Sequence, residues 1–92
     1  MRGMEFEWDP RKDAANRRKH KLEFREAATV FGDPLAIPDV EHSALEQRFL
    51  TIGTSVSDRL LVVAHTERGE AIRIIRARPV APREKRFQED EY

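Results

Sequence analysis

The sequence predicts an α+β domain: an antiparallel sheet covered on one face by helices, two of them N-terminal and one C-terminal. Three observations carry this. Residues 5–9, "EFEWD", alternate apolar and acidic side chains; "SDRLLVVAHT" and "AIRIIRAR", at 57–66 and 71–78, are the firmest strand patterns; and helical spacing is confined to the stretches before 32 and after 82.

Each element has its own reason. Phe6 and Trp8 fall on one side of the first strand, which assigns them to the core. Asp9 followed by Pro10 is an N-cap with proline at the first helical position, and opens a helix over 10–19. That helix has little apolar content beyond Ala14 and Ala15, so most of its surface should be wet. After a break near Lys21 and Leu22, the residues Leu22, Phe24, Ala27, Ala28 and Phe31 form a stronger stripe, started by Glu23 as a weak cap and stopped by "GDP" at 32–34. "LAIPDVEHS" reads as a short exposed strand or loop, where Pro38 demands an edge position. A strand over 46–53 follows. The two firm strands are joined by "ERGE", in which Gly69 takes the positive φ of a tight turn. "APREKRFQEDEY" reads as a short helix from about Pro82 with a frayed acidic end.

At 92 residues the chain is read as one domain, 1–92, with a modest core. Residues 1–3 read as a flexible leader ahead of Met4. Cysteine is absent, which excludes a disulfide framework and thiolate metal sites. No apolar run is long enough to span a bilayer, so the expectation is a cytoplasmic protein without a membrane partner. The formal net charge is zero, but its distribution is uneven. Residues 11–21 hold six Arg or Lys against one Asp and residues 68–86 hold seven against two Glu, whereas 22–58 hold two against seven acidic residues. A fold that joins the two basic segments makes a positive surface.

Strict alternation along the last strand puts Ile72, Ile74, Arg76 and Arg78 on one face and Arg73, Ile75 and Ala77 on the other. Arg76 and Arg78 then stand about 6 to 7 Å apart, suited to neighbouring phosphates. Arg59 lies across the hairpin near its open end. Metal-free RNA cleavage needs a base for the ribose 2′-hydroxyl, cations for the phosphorane and an acid for the leaving 5′-oxygen. His20 is the candidate for proton transfer. Lys19 and the arginines would stabilise charge, and Glu23 would orient His20 if the helix ran on. The plain alternatives stand beside this: Lys19 and His20 as cations that complement a helix C-terminus, and Arg73, Arg76 and Arg78 as solubilising charges. His42 and His65 read as structural or superficial, Asp33 as a turn residue, and no spacing suggests a metal or cofactor.

The chain resembles the BrnT family of bacterial toxins. The resemblance is carried by "FEWDPRK" at 6–12, "N" at 16, "KH" at 19–20, "F" at 24, "EA" at 26–27, "FGDP" at 31–34, "HS" at 42–43 with "E" at 46 and "R" at 48, "IG" at 52–53, "RLLVV" at 59–63, and "IRII" with "AR" ending in "RE" at 83–84. It implies a RelE-like fold, an RNA-cleaving activity that inhibits translation, and a BrnA-like antitoxin that neutralises the toxin in an oligomeric assembly and alone contacts DNA. Lys19, His20, Arg59, Arg73 and Arg78 are the catalytic positions carried over from it. Arg76, Arg18 and Lys12 are added as RNA-binding candidates. Arg76 stands where the family usually has Ser, and Lys21 where Gly is usual. A non-enzymatic module that holds an acidic partner or nucleic acid on its arginine face is the alternative, and a DNA-binding repressor acting alone lacks a helix-turn-helix pattern.

Overall fold

The computed structural model of the chain describes residues 4–41 and 48–81. In chain order they form β1 (Glu5–Glu7), α1 (Pro10–His20), α2 (Phe24–Ala28), a 3-10 helix (Thr29–Gly32), β2 (Ile37–Glu41), β3 (Arg48–Thr54), β4 (Leu60–Arg68) and β5 (Ala71–Pro79). The five strands make one sheet in the order β1-β5-β4-β3-β2.

Two parts of the expected architecture need correction. The sheet is mixed, because β1 pairs parallel to β5 while the other pairs are antiparallel. The first strand carries no signal for its partner, which lies more than sixty residues away in sequence. The C-terminal part of the described chain, from Arg48 to Pro79, is strand and turn without a helix. The helix expected from Pro82, the leader at 1–3 and His42 lie outside the described residues.

Local chemistry explains the helices. Asp9 accepts from the Arg11 amide at 2.9 Å and Pro10 opens α1. The helix ends where Lys21 turns left-handed, at φ 53° and ψ 44°, and sends its amide to the Arg17 carbonyl at 2.8 Å. Glu23 makes no side-chain cap for α2. Asp13 of α1 does that job instead, accepting from the Phe24 amide at 2.9 Å. A cap supplied from eleven residues upstream fixes the angle between the helices as well as the start of the second.

One face of the sheet carries the core: Leu61, Val63, Ile74 and Ala77 pack against Leu22, Phe24, Ala27 and Val30, with Phe6 and Trp8 against their edge. The Trp8 ring meets Phe24 edge-on at 6.2 Å. Burial of these side chains is the main stabilising term, and cutting Phe24 to alanine would cost about 3 to 5 kcal/mol.

A third correction concerns phase. Opposite β4, the register runs Thr66 to Arg73 and His65 to Ile74, then slips so that Ala64 faces Arg76 and Val62 faces Arg78. Ile75 is the extra residue of a β-bulge. Strict alternation therefore fails in the middle of β5: Ile74 and Ala77 share the core face, and Arg73 joins Arg76 and Arg78 on the other.

Candidate functional site

Asn16 is where α1 meets the sheet. This helix has almost no apolar stripe, and a buried amide substitutes for one: Asn16 accepts from the Ala77 amide at 3.2 Å and donates to the Leu22 carbonyl at 3.0 Å. Since Glu7 lies beside Arg73 and Asn16 beside Ala77, α1 carries on along β5 in the direction β1 began. The last turn of α1, with Lys19 and His20, thus comes to the end of the sheet where Arg78 follows Ala77.

Arg59 reaches the same end. Asp58, at φ 63°, and the bond from the Ser55 amide to the Arg59 carbonyl at 2.8 Å make the turn that precedes β4. The Arg59 guanidinium donates to both oxygens of Glu26, Nε to Oε2 at 3.0 Å and Nη2 to Oε1 at 2.9 Å, and Nη2 also reaches the Lys21 carbonyl at 3.3 Å. Ser55 adds a bond of 2.7 Å to Glu26 Oε2. The Arg59 bond, supported by Ser55 against partial desolvation, holds the Glu26 carboxyl below its usual range, and Glu26 in turn raises Arg59. Glu26 stays ionised at neutral pH and has no proton to exchange there. The Arg59 charge is largely answered by Glu26, so its clear geometric effect is to hold the turn at Lys21.

Arg78 is exposed and donates to the Pro79 carbonyl at 3.3 Å; Arg76 is also exposed on that face. Glu23 lies 3.9 Å from Arg17, so it pairs along the surface with Arg17. Arg18 projects from the exposed part of α1.

Arg73 occupies a different neighbourhood. It sits opposite Thr66, four β4 residues from the partner of Arg78, or about 13 Å along the sheet. It donates to Glu7 at 2.7 Å, and Arg68 lies 4.0 Å from the same oxygen. Lys12 is on this side too, lining a polar cavity with Arg48, Arg68 and Arg73. The candidate residues therefore divide: Arg59 is tied to the Lys21 turn that follows Lys19 and His20, Arg76 and Arg78 project from the exposed face of β5, and Arg73 and Lys12 line the polar cavity.

His65 is structural. It is buried, its Nε2 lies 2.9 Å from Thr51 Oγ1, and its ring meets Phe31 edge-on and stacks on Phe49. Asp33 is a turn residue, accepting from Leu35 and Thr54 amides at 2.9 and 2.8 Å. Among the described residues no three His, Asp or Glu side chains converge as a metal site, and no helix is long and apolar enough to cross a membrane.

Sequence reasoning missed the parts of Asn16, Glu26 and Glu7. A lone Asn inside a basic helix is one signal, since Asn is a poor helix former whose place there needs a tertiary reason, and all three residues fall within the family strings, which give them no role. The two glutamates look like any solvated charge until the fold brings them to arginine.

α2 and the 3-10 helix cover one face of the mixed sheet, Arg76 and Arg78 project from the other, and Asn16 joins α1 to the backbone edge of β5. The family model described as "Ribonuclease toxin, BrnT, of type II toxin-antitoxin system" matches residues 8–84. The chain belongs to the BrnT family. Its fold is similar to that in the 1.1 Å crystal structure of the Brucella abortus ribonuclease toxin BrnT, with a TM-score of 0.64 at 22% identity, covering 86% of this chain and 99% of that one. No curated protein matches the chain. It is thus a ribonuclease toxin of a toxin–antitoxin system, with RNA as target and a cognate antitoxin as partner.

Proposed function

We propose that RNA is cut at the end of the sheet where α1 stops and β5 leaves, by attack of the ribose 2′-hydroxyl on the adjacent phosphorus. The carrying observation is the pair of hydrogen bonds that Asn16 makes to the Ala77 amide and the Leu22 carbonyl, which ties the helix ending in Lys19 and His20 to the strand that bears Arg78. In this reading His20 moves the proton, and Lys19 and Arg78 meet the negative charge that grows on the phosphorane oxygens. Arg59 acts through the Lys21 carbonyl, keeping the turn that presents Lys19 and His20. The new P–O2′ bond forms as P–O5′ breaks. The 2′ proton leaves to a base, the 5′-oxygen gains one, and the products are a 2′,3′-cyclic phosphate and a 5′-hydroxyl end.

The BrnA-like antitoxin is read as silencing the protein by covering the arginine-bearing face, assembling with it as an oligomer and supplying the DNA contact. A cationic face of this kind steers an acidic partner, so association should slow as salt rises.

The test is purified protein on a long RNA, with end-mapped products. An RNA with one 2′-deoxy sugar at the cut site should bind and resist cleavage, and the 5′ fragment should end in a cyclic phosphate or its hydrolysis product. Cleavage of the deoxy substrate at an undiminished rate rejects the mechanism.

A further inference from the structure

The bulge at Ile75 does more than change the phase of β5. Because β4 keeps its alternation, the partners of Arg73, Arg76 and Arg78 are Thr66, Ala64 and Val62, at regular intervals of about 6 to 7 Å. Without the extra residue, Arg73 would point into the core face. The three arginines leave the strand at even intervals on one face, and a single nucleic-acid strand following β5 would bring successive phosphates to successive positions.

The first position differs from the other two in having walls. Lys12 from α1, Arg48 from β3, Arg68 from β4 and Arg73 from β5 surround a cavity of about 310 Å³, which Thr66 and Ile75 complete. Four cations from four elements converge there, against Glu67 and the Glu7 that bridges Arg68 and Arg73. Glu7 holds the Arg73 guanidinium at 2.7 Å and Asp9 lies near Lys12 and Arg73, so the cations of the cavity are held in place by carboxylates. A concave site with rigid guanidinium donors and a lysine suits a phosphate group bound by several charge-assisted hydrogen bonds.

We infer that this cavity is a backbone-phosphate subsite, which takes the RNA phosphate two nucleotides away from the one being cut. The inference rests on the reading that cleavage occurs at the Arg78 end, since it is counted along the strand from there. The subsite gives the protein a handle on its substrate remote from the bonds that change, and it fixes the direction in which the strand lies.

Arg68 is the residue to test, because its side chain is 60% exposed and supports no part of the core. Binding of a non-cleavable 2′-O-methyl RNA of about eight nucleotides is measured by fluorescence anisotropy across a salt series. Arg68→Ala should weaken binding at low salt and lower the slope of log K against log salt by about 0.7, the loss of one single-strand phosphate contact. Arg68→Lys should restore the slope, and Arg25→Ala, which removes an exposed charge from α2, should leave it unchanged. An unchanged slope in Arg68→Ala, or an equal fall in Arg25→Ala, overturns the subsite. Cleavage of ordinary RNA by the wild type is assayed in parallel: its absence, with the slope changing as stated, would reject the cleavage reading and leave the phosphate subsite in place.

Discussion

Arg59 grips Glu26 with two prongs, Nε on Oε2 at 3.0 Å and Nη2 on Oε1 at 2.9 Å, while the same Nη2 touches the carbonyl of Lys21. One guanidinium therefore joins the β3–β4 turn, α2 and the end of α1. Glu26→Gln keeps the shape and removes the charge that orients the fork. It should cost about 1 to 2 kcal/mol of stability, a figure reduced because the Arg59 side chain is partly exposed, and should lower RNA cleavage by loosening the turn after His20. Urea unfolding and initial cleavage rates check both halves.

The same carboxyl gives a pH dependence at the acid end. Its pKa is depressed by Arg59, so the unfolded chain takes up the proton first. The stability it contributes is fully present above the ordinary glutamate value and is lost as pH falls through the lower folded value. Wild type should lose more stability than Glu26→Gln between about pH 5 and pH 3. Equal losses would remove Glu26 from the acid transition.

His65 acts in a higher window. Burial lowers its pKa, opposed weakly by Glu67, and its Nδ1 is buried without a partner. The folded protein prefers the neutral ring, so the contribution is fully present above about pH 6.5 and declines below it as the unfolded chain protonates. His65→Phe should flatten that limb, as read from urea midpoints between pH 7.5 and 5.

Lys21 carries a left-handed backbone for which a side chain is unfavourable. Lys21→Gly should relieve that strain, offset in part by the greater freedom of glycine in the unfolded chain, and raise stability by about 1 kcal/mol. A thermal melt reads the gain directly. No gain would mean that other contacts of Lys21 offset it.

Gly53 lies under the 3-10 helix, where a Cβ would come 2.9 Å from Val30 Cγ1, 3.0 Å from Ala36 Cβ and 3.2 Å from Asp33 Oδ2. Two of these neighbours are short, stiff side chains that have little room to move. Gly53→Ala should therefore cost about 1 to 3 kcal/mol by overpacking, with a lower melting temperature and an unchanged fold by circular dichroism.

Proton transfer and charge stabilisation should fail differently. Arg78→Ala should lower the cleavage rate by about 2 to 4 kcal/mol of transition-state stabilisation and leave the shape of the pH profile alone. His20→Ala should lose about a hundredfold or more and flatten the limb near neutrality. An unchanged His20→Ala profile would take His20 out of the proton-transfer role.

The sequence alone determined the local parts of this protein. Asp9-Pro10 capped α1, the break at Lys21 and Leu22 parted the helices, Gly69 turned the hairpin at φ 62°, and the charge count foretold two basic segments. These depend on neighbours within a few residues, where side-chain chemistry acts directly on backbone choice. The family motifs were legible as well, because they are strings.

What only the tertiary structure decided are relations between residues far apart in the chain. The parallel pairing of β1 with β5, the Asn16 tie to Ala77 and the Arg59–Glu26 pair join positions separated by dozens of residues. Nothing local selects one such partner over another. The bulge at Ile75 is the sharpest case: two-residue alternation placed Arg73 opposite in phase to Arg78, and one extra residue brought them to the same face. A period of two has no memory of an insertion until a neighbouring strand counts the residues against its own, and that count decided which arginines stand together.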